Sequence, residues 1–215
     1  MTTKKNISIC LIDDHQLIRD GIKLILNQTH HITLTSEFGN IESFWKQKKK
    51  SPIDVLLLDI TLPDGNGLNE IEILKKTYPK MGILVLTMHD ETQFGMRAMQ
   101  EGAHGYITKD NASTELITAI DTIMAGKKYI SNSFSNLIAM NSFGDNSLPT
   151  HHQLSKQEFN VFLALGKGES PTNIGKSLFI SVKTVSTYRT RILDKLNLAN
   201  NAEITKYCIK NELII

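Results

Sequence analysis

Ile7-Ser8-Ile9-Cys10-Leu11-Ile12 is an apolar run that stops at the pair Asp13-Asp14, and Val55-Leu56-Leu57-Leu58 is a second run that stops at Asp59. Continuous apolar runs of this length suit strands covered on both faces, as in a parallel sheet. In open α/β sheets ligands bind in the crevice outside the carboxyl ends of the strands. Two strands ending in three carboxylates therefore predict an acidic pocket on one rim of the sheet. Carboxylates that close repel one another and shift each other's pKa. A hard divalent cation with oxygen ligands relieves that repulsion.

Outward from these two runs, strand and helix patterns alternate through residue 126. Strands are expected at 7–12, 31–36, 54–59, 83–87 and 104–107. Helices are expected at 15–28, 40–49, 67–77, 91–101 and 112–125. In the first helix Ile18, Ile22, Ile25 and Leu26 recur at helical spacing, with Arg19 and Lys23 off that face. Five such units predict an α/β doubly wound, five-stranded parallel sheet with right-handed crossovers, of flavodoxin-like topology. Ser, Asn, Gly and Pro dominate 127–152, which reads as a polar linker with a short helix near 134–140. From Leu154 the pattern is helical only, giving a small all-α domain of four helices near 155–166, 171–178, 182–197 and 202–211. Ser155 with Glu158 fits a capping box, and Ser181 is placed to cap the third of these helices. The organisation expected is thus a first domain at 1–126, a linker at 127–152 and a second domain at 153–215.

The chain has 215 residues, 40% hydrophobic and 21% charged, an ordinary globular balance. No apolar run approaches the roughly 20 residues that span a bilayer, and no signal-peptide pattern opens the chain. Cys10 and Cys208 lie far apart in apolar contexts, which reads as two buried thiols in a cytoplasmic protein. The net charge of +2 hides an asymmetry. Residues 1–126 carry 13 Lys/Arg against 16 Asp/Glu, and residues 151–215 carry 9 against 5. The second domain is the one suited to nucleic acid.

Thr87 ends the fourth strand and Lys109 follows the fifth, so the fold would gather Asp13, Asp14, Asp59, Thr87 and Lys109 on one rim. Taken singly, an Asp at a strand end is a turn former or helix cap and a Lys is a solvated surface group. Taken together, they suit phosphoryl chemistry. A carboxylate beside a divalent cation can accept a phosphoryl group, a lysine can pair with it and a hydroxyl can hydrogen-bond it. His15 adjoins the site, but no second His or Cys at ligand spacing supports zinc. The loop Leu62-Pro63-Asp64-Gly65-Asn66-Gly67 is rich in turn formers and can fold back over the rim.

Asp13-Asp14-His15, Leu58 to Gly67, Leu86-Thr87-Met88 and Gly102 to Asp110 resemble the receiver domain of bacterial two-component response regulators. The resemblance implies that Asp59 accepts a phosphoryl group from a sensor histidine kinase. It implies Mg2+ held by Asp14 and Asp59, by the backbone carbonyl of Thr61 and, through water, by Asp13. Thr87 and Lys109 would hold the phosphoryl oxygens, and Tyr106 would be the aromatic whose rotamer follows Thr87. Such a receiver catalyses its own phosphorylation and dephosphorylation and turns over no independent substrate. Two departures are Gln16, where proline is frequent, and Asp110, which replaces proline after Lys109.

In the second domain, 173–179 reads as a scaffold helix, 179–181 as a turn and 182–196 as a recognition helix. At 100° per residue, Val182, Val185, Ile192, Leu193 and Leu196 form one inward stripe. Lys183, Thr184, Thr187, Thr190, Arg191 and Asp194 lie opposite. On geometry alone this face is either a solvated surface of a helical interaction module or a major-groove reader. The segments Leu154 to Ile174, Ser181 to Tyr188 and Lys195-Leu196 resemble the LuxR-type helix-turn-helix domain. The resemblance puts Ser186, Thr187 and Thr190 nearest the bases of double-stranded promoter DNA, and Lys183, Tyr188 and Arg191 near its backbone, with Thr184 on the same face. Arg189 falls on the apolar side of the wheel, and Gly175 replaces the alanine usual in the scaffold helix. The last helix, 202–211, could supply a dimer contact.

The combined expectation is a NarL-type response regulator: a cytoplasmic homodimer without membrane insertion, whose phosphorylation alters domain arrangement and promoter binding. Two alternatives stand beside it. One is a phosphorylation-independent transcription factor with a degenerate receiver. The other is an enzyme on the same topology, such as a flavin protein, which would need a phosphate-binding loop where Asp13-Asp14 stands.

Overall fold

The computed structural model describes residues 6–47, 52–142 and 150–214, which form two compact units whose boundary falls between Asn136 and Leu137. The first unit carries a parallel sheet of β1 (Ile7–Ile12), β2 (Ile32–Phe38), β3 (Val55–Leu58), β6 (Gly82–Thr87) and β7 (Gly105–Thr108). Their order is β2-β1-β3-β6-β7, which places β3 at the centre between β1 and β6. All ten residues of β3 and β6 are buried, the reason those segments are apolar up to the terminal Thr87. Helices α1 (Gln16–Leu26), α2 (Ile41–Lys46), α3 (Leu68–Thr77), α4 (Glu91–Glu101) and α5 (Ala112–Met124) connect them. The stripe expected on α1 is present: Ile22 and Leu26 are buried and Ile18 and Ile25 pack against the same core. The far end of the second expected helix, 48–49, lies outside the described residues.

The loop expected after β3 contains its own two-residue ladder, β4 (Thr61–Leu62) with β5 (Gly65–Asn66). Gly65 sits at φ 152 and Gly67 packs so closely that an added Cβ would lie 2.2 Å from the Asp59 carbonyl oxygen. Those glycines let the loop fold back beside Asp59.

Residues expected as linker are partly built into the first unit. Tyr129 bridges to Gly105 beside β7, and α6 (Asn132–Ser142) begins on α4. Phe134 is buried against Gly95, and Ser133 Oγ donates to Glu91 Oε2 at 2.8 Å. The expected helix at 134–140 is thus longer at both ends, and at its start Ser131 Oγ accepts from Phe134 N and caps it. The linker residues 143–149 lie outside the described part.

The second unit holds α7 (Lys156–Gly166), α8 (Pro171–Ser177), α9 (Val182–Leu196) and α10 (Asn201–Lys210). The capping box of Ser155 and Glu158 forms at α7, and Ser181 accepts from Thr184 N at α9. Lys195 Nζ meets Glu158 Oε2 at 2.7 Å, which ties α9 to the start of α7. Cys10 and Cys208 are both buried and unbridged, as expected. Burial pushes the Cys208 thiol up to about 12. Among the described residues, no helix is long and apolar enough to cross a membrane.

His104, just before β7, is a pH-sensitive joint in the first unit. Its Nδ1 accepts from Ile83 N at 2.9 Å, and its Nε2 lies 3.0 Å from Lys75 Nζ. Burial, then the charges of Lys75 and Lys128, hold its pKa below the ordinary value. A depressed folded-state pKa gives stability that is complete above the unfolded pKa of about 6.5 and is lost as pH falls through the folded value. His104→Asn keeps an acceptor near Ile83 but cannot titrate. Melting temperatures of the two proteins are expected to diverge at neutral pH and to converge on the acid side, as the wild type loses its advantage. A difference that stays constant from pH 8 to 5 would contradict this.

Candidate phosphoryl site and nucleic-acid interface

The carboxyl ends of β1, β3, β6 and β7 bring the five expected residues to one rim. Asp13, Asp59 and Thr87 are buried, and the Lys109 side chain is 2% exposed. Lys109 Nζ lies 2.6 Å from Asp59 Oδ2 and 2.7 Å from Asp13 Oδ2. One ammonium therefore serves two buried carboxylates. Burial alone would lower the Lys109 pKa, but the carboxylates of Asp13 and Asp59 beside it outweigh that and the ammonium is held. Asp59 does less well. Burial pushes its pKa upward, only partly opposed by Lys109 and by the Thr61 amide, which donates to Asp59 Oδ1 at 3.1 Å.

Asp13 Oδ2 is buried and, although close to Lys109, makes no aligned hydrogen bond. Its other oxygen accepts from His15 N at 2.9 Å. Asp14 is more exposed and lies 2.8 Å from His15 Nδ1. Asp13, Asp14, His15 and Asp59 each offer a ligand atom, all within 4.8 Å of one another. An oxygen-rich cluster in which a buried Asp13 oxygen makes no aligned hydrogen bond fits a hard cation such as Mg2+. His15 joins the cluster although no ligand spacing pointed to it; its adjacency to Asp14 was the available signal.

Thr87 is fully buried at the end of β6, and its Oγ1 lies 3.5 Å from His89 N. Tyr106 is fully buried, with its hydroxyl donating to the His89 carbonyl at 2.9 Å. The inward Tyr106 thus pins the β6–α4 loop. Sequence reasoning missed His89: its Nε2 lies 3.2 Å from Thr61 Oγ1 and its ring packs edge-on to Phe94. It links the two loops that flank Asp59.

On α9, Val185, Ile192 and Leu196 are buried and Leu193 is half-buried. Val182 is a correction to the expected stripe. It is 46% exposed, because the first residue of the helix projects past the packed interface. Lys183, Ser186, Thr187, Thr190 and Arg191 are exposed, whereas Thr184 and Tyr188 are half-buried. Thr184 Oγ1 is bound to Ser181 Oγ at 2.8 Å and so belongs to the cap. Arg189 Nε donates to Asn201 Oδ1 at 2.6 Å, which joins α9 to the start of α10.

Gly175 has a geometric reason. Ile180 N donates to the Gly175 carbonyl, and a Cβ on Gly175 would lie 2.8 Å from the Ile180 carbonyl oxygen. The turn between α8 and α9 lies against that bare backbone, with Phe179 at φ 54 reversing the chain. Alanine would gain up to about 1 kcal/mol of helix propensity but would push the turn away.

Residues 9–121 match the family described as response regulator receiver domain, and residues 152–208 match bacterial regulatory proteins of the luxR family. The chain belongs to the two-component response regulators, with a receiver domain followed by a LuxR-family domain. It is 31% identical over 208 residues to the response regulator UvrY of Escherichia coli K12, covering 96% of this chain and 95% of UvrY. It is similar to RcsB of Salmonella enterica serovar Typhimurium bound to promoter rprA in the presence of the phosphomimetic BeF3-. That similarity has TM-score 0.76 and 25% identity, over 94% of this chain and 98% of RcsB. A structure of two RcsB dimers bound to two parallel DNAs matches with TM-score 0.62 and 26% identity, over 96% and 99% of the two chains.

Proposed function

We propose that the protein is a cytoplasmic transcription regulator whose promoter binding is set by phosphorylation of Asp59. The observation that carries this reading is Lys109 Nζ held between Asp13 and Asp59, with Asp14 beside them. A carboxylate of Asp59 attacks the phosphorus of a phosphohistidine on a sensor kinase. The P–N bond breaks, and the imidazole leaves with the electron pair and takes up a proton. Lys109 moves from the Asp59 carboxylate to a phosphoryl oxygen, and the Thr87 hydroxyl donates to another. Water later attacks the phosphorus, which returns the carboxylate and inorganic phosphate. Asp13, Asp14, Asp59 and the Thr61 carbonyl would hold Mg2+, which when bound neutralises charge on both reacting groups. These steps act on the chain itself and serve no independent substrate.

Movement of Thr87 toward the phosphoryl group vacates space beside Tyr106, and the Tyr106 bond to the His89 carbonyl is the element to be broken. His89 leads into α4, on which Ser133 and Phe134 rest. The connector at 127–152 is therefore coupled to the receiver at 1–126 and passes the change to the DNA-binding segment at 153–215. Homodimers on paired half-sites then gain affinity through effective concentration.

In the DNA-binding segment Ser186, Thr187 and Thr190 face the bases, and Lys183, Tyr188 and Arg191 face phosphates, with Thr184 holding the helix start. Replacing Thr187 and Thr190 together by Ala is expected to weaken binding to a selected site by about tenfold or more. Non-specific binding at low salt should be nearly unchanged, since the cations remain. An unaltered footprint would move the reading face elsewhere. Measuring site affinity with and without acetyl phosphate separates this reading from a phosphorylation-independent regulator: a rise on phosphorylation is expected, and equal affinities would favour the latter.

A further inference from the structure

Three exposed hydroxyls on α9 share a geometry that restricts what they can read. Ser186 Oγ donates to the Val182 carbonyl at 3.1 Å, Thr187 Oγ1 to the Lys183 carbonyl at 3.0 Å and Thr190 Oγ1 to the Ser186 carbonyl at 3.2 Å. A hydroxyl has one proton and two lone pairs. With each proton turned back onto the helix, the face shown to solvent is made of acceptors. Turning a proton outward would forfeit the bond to the carbonyl, so donation to a base gains little net.

The major groove offers donors at the exocyclic amino groups, N6 of adenine and N4 of cytosine. It offers acceptors at purine N7, guanine O6 and thymine O4. We propose that Ser186, Thr187 and Thr190 form an amino-group reader, which selects base pairs whose adenine N6 or cytosine N4 faces α9. Guanine O6 and N7 are themselves acceptors and gain nothing from such a surface, while Lys183 and Arg191 stay with the phosphates. A recognition surface of this kind discriminates orientation: an A·T pair is accepted with adenine toward the hydroxyls and rejected when reversed. This inference rests on the reading of α9 as the recognition helix.

The test uses the full-length protein and duplexes selected from a randomised pool. Thr187→Val and Thr190→Val remove only the hydroxyl at exposed positions. Base positions whose preference flattens in a valine variant are those that the hydroxyl reads. At these positions adenine is replaced by purine, which lacks N6, or cytosine by the pyrimidinone that lacks the 4-amino group. Wild-type affinity is expected to fall about three- to tenfold for each deleted amino group, the worth of one hydrogen bond. The valine variants should be indifferent to the same deletion. Wild-type binding that is insensitive to amino deletion, or valine variants that select unchanged sites, would overturn the amino-group reader. A wild-type protein that enriches no sequence would instead overturn the recognition-helix reading beneath it. Where a valine variant folds poorly, the amino deletions are made in turn at every adenine and cytosine of the selected site, and wild-type binding that is insensitive to all of them overturns the reader.

Discussion

Asp59→Asn is expected to abolish incorporation of a phosphoryl group from acetyl phosphate while leaving the protein folded. Asp59 Oδ1 accepts from the Thr61 amide and Oδ2 faces Lys109 at 2.6 Å. An asparagine amide has a single acceptor oxygen, so it can serve Thr61 or Lys109 but not both. The substitution thus removes the nucleophile and also costs some stability. Lys109 keeps its contact with Asp13, which lies 2.7 Å away, so the pocket retains its charge partner. Asp14 is the other reachable carboxylate, at the exposed rim, and lacks the lysine contact that would receive a phosphoryl oxygen. Labelling of Asp59→Asn at the wild-type rate, with peptide mapping that finds the group elsewhere, would refute the assignment.

The second large effect concerns stability. Lys109→Ala leaves Asp13 and Asp59 buried without their shared cation. Removing one member of a buried ion pair costs about 3–5 kcal/mol, and a comparable loss is expected in chelator at pH 8. Burial already raises the folded-state pKa of Asp59 above the unfolded value of about 3.9, and without Lys109 the main opposition to that rise is gone. Protonated carboxyls are tolerated there and charged ones are not. The deficit is therefore small below the unfolded pKa and grows as pH rises through the raised folded value. Millimolar Mg2+ should restore much of the loss in the variant, since a ligand of the native state alone stabilises it by mass action. Denaturant unfolding at pH 5 and pH 8, with and without Mg2+, measures all four corners. A variant as stable as wild type at pH 8 in chelator would mean that Lys109 does not neutralise the pair.

Much of this architecture was legible in the chain because the parallel sheet writes itself as apolar runs with polar ends. β1, β3 and β6 were readable for that reason, and so were Asp13, Asp59 and Thr87 at their carboxyl ends and Lys109 after β7. The class of the protein was legible from the ordered motifs around those residues, and the family comparisons bear it out. What escaped the sequence depends on contacts across space. The turn formers of Leu62 to Gly67 announced a loop that folds back, but the β4–β5 ladder and the packing of Gly67 on the Asp59 backbone were not announced. His89 gains its place only when Thr61 and Gln93 come within reach of its ring. Phe134 looked like one member of a short helix in a linker; its burial depends on Gly95, some forty residues earlier, having no side chain. Val182 belongs to the apolar stripe by periodicity, yet the wheel carries no information about where the packed partner ends.

The central claim is that Asp13, Asp14 and Asp59 converge on one Mg2+ beside Lys109. A Mg2+ titration followed by backbone amide chemical shifts tests it most directly. The account predicts saturable shifts concentrated at residues 13–15, 59–61, 87–89 and 109, lost when Asp14 is replaced by Asn. Shifts that never saturate, or that scatter over surface carboxylates and survive Asp14→Asn, would contradict it.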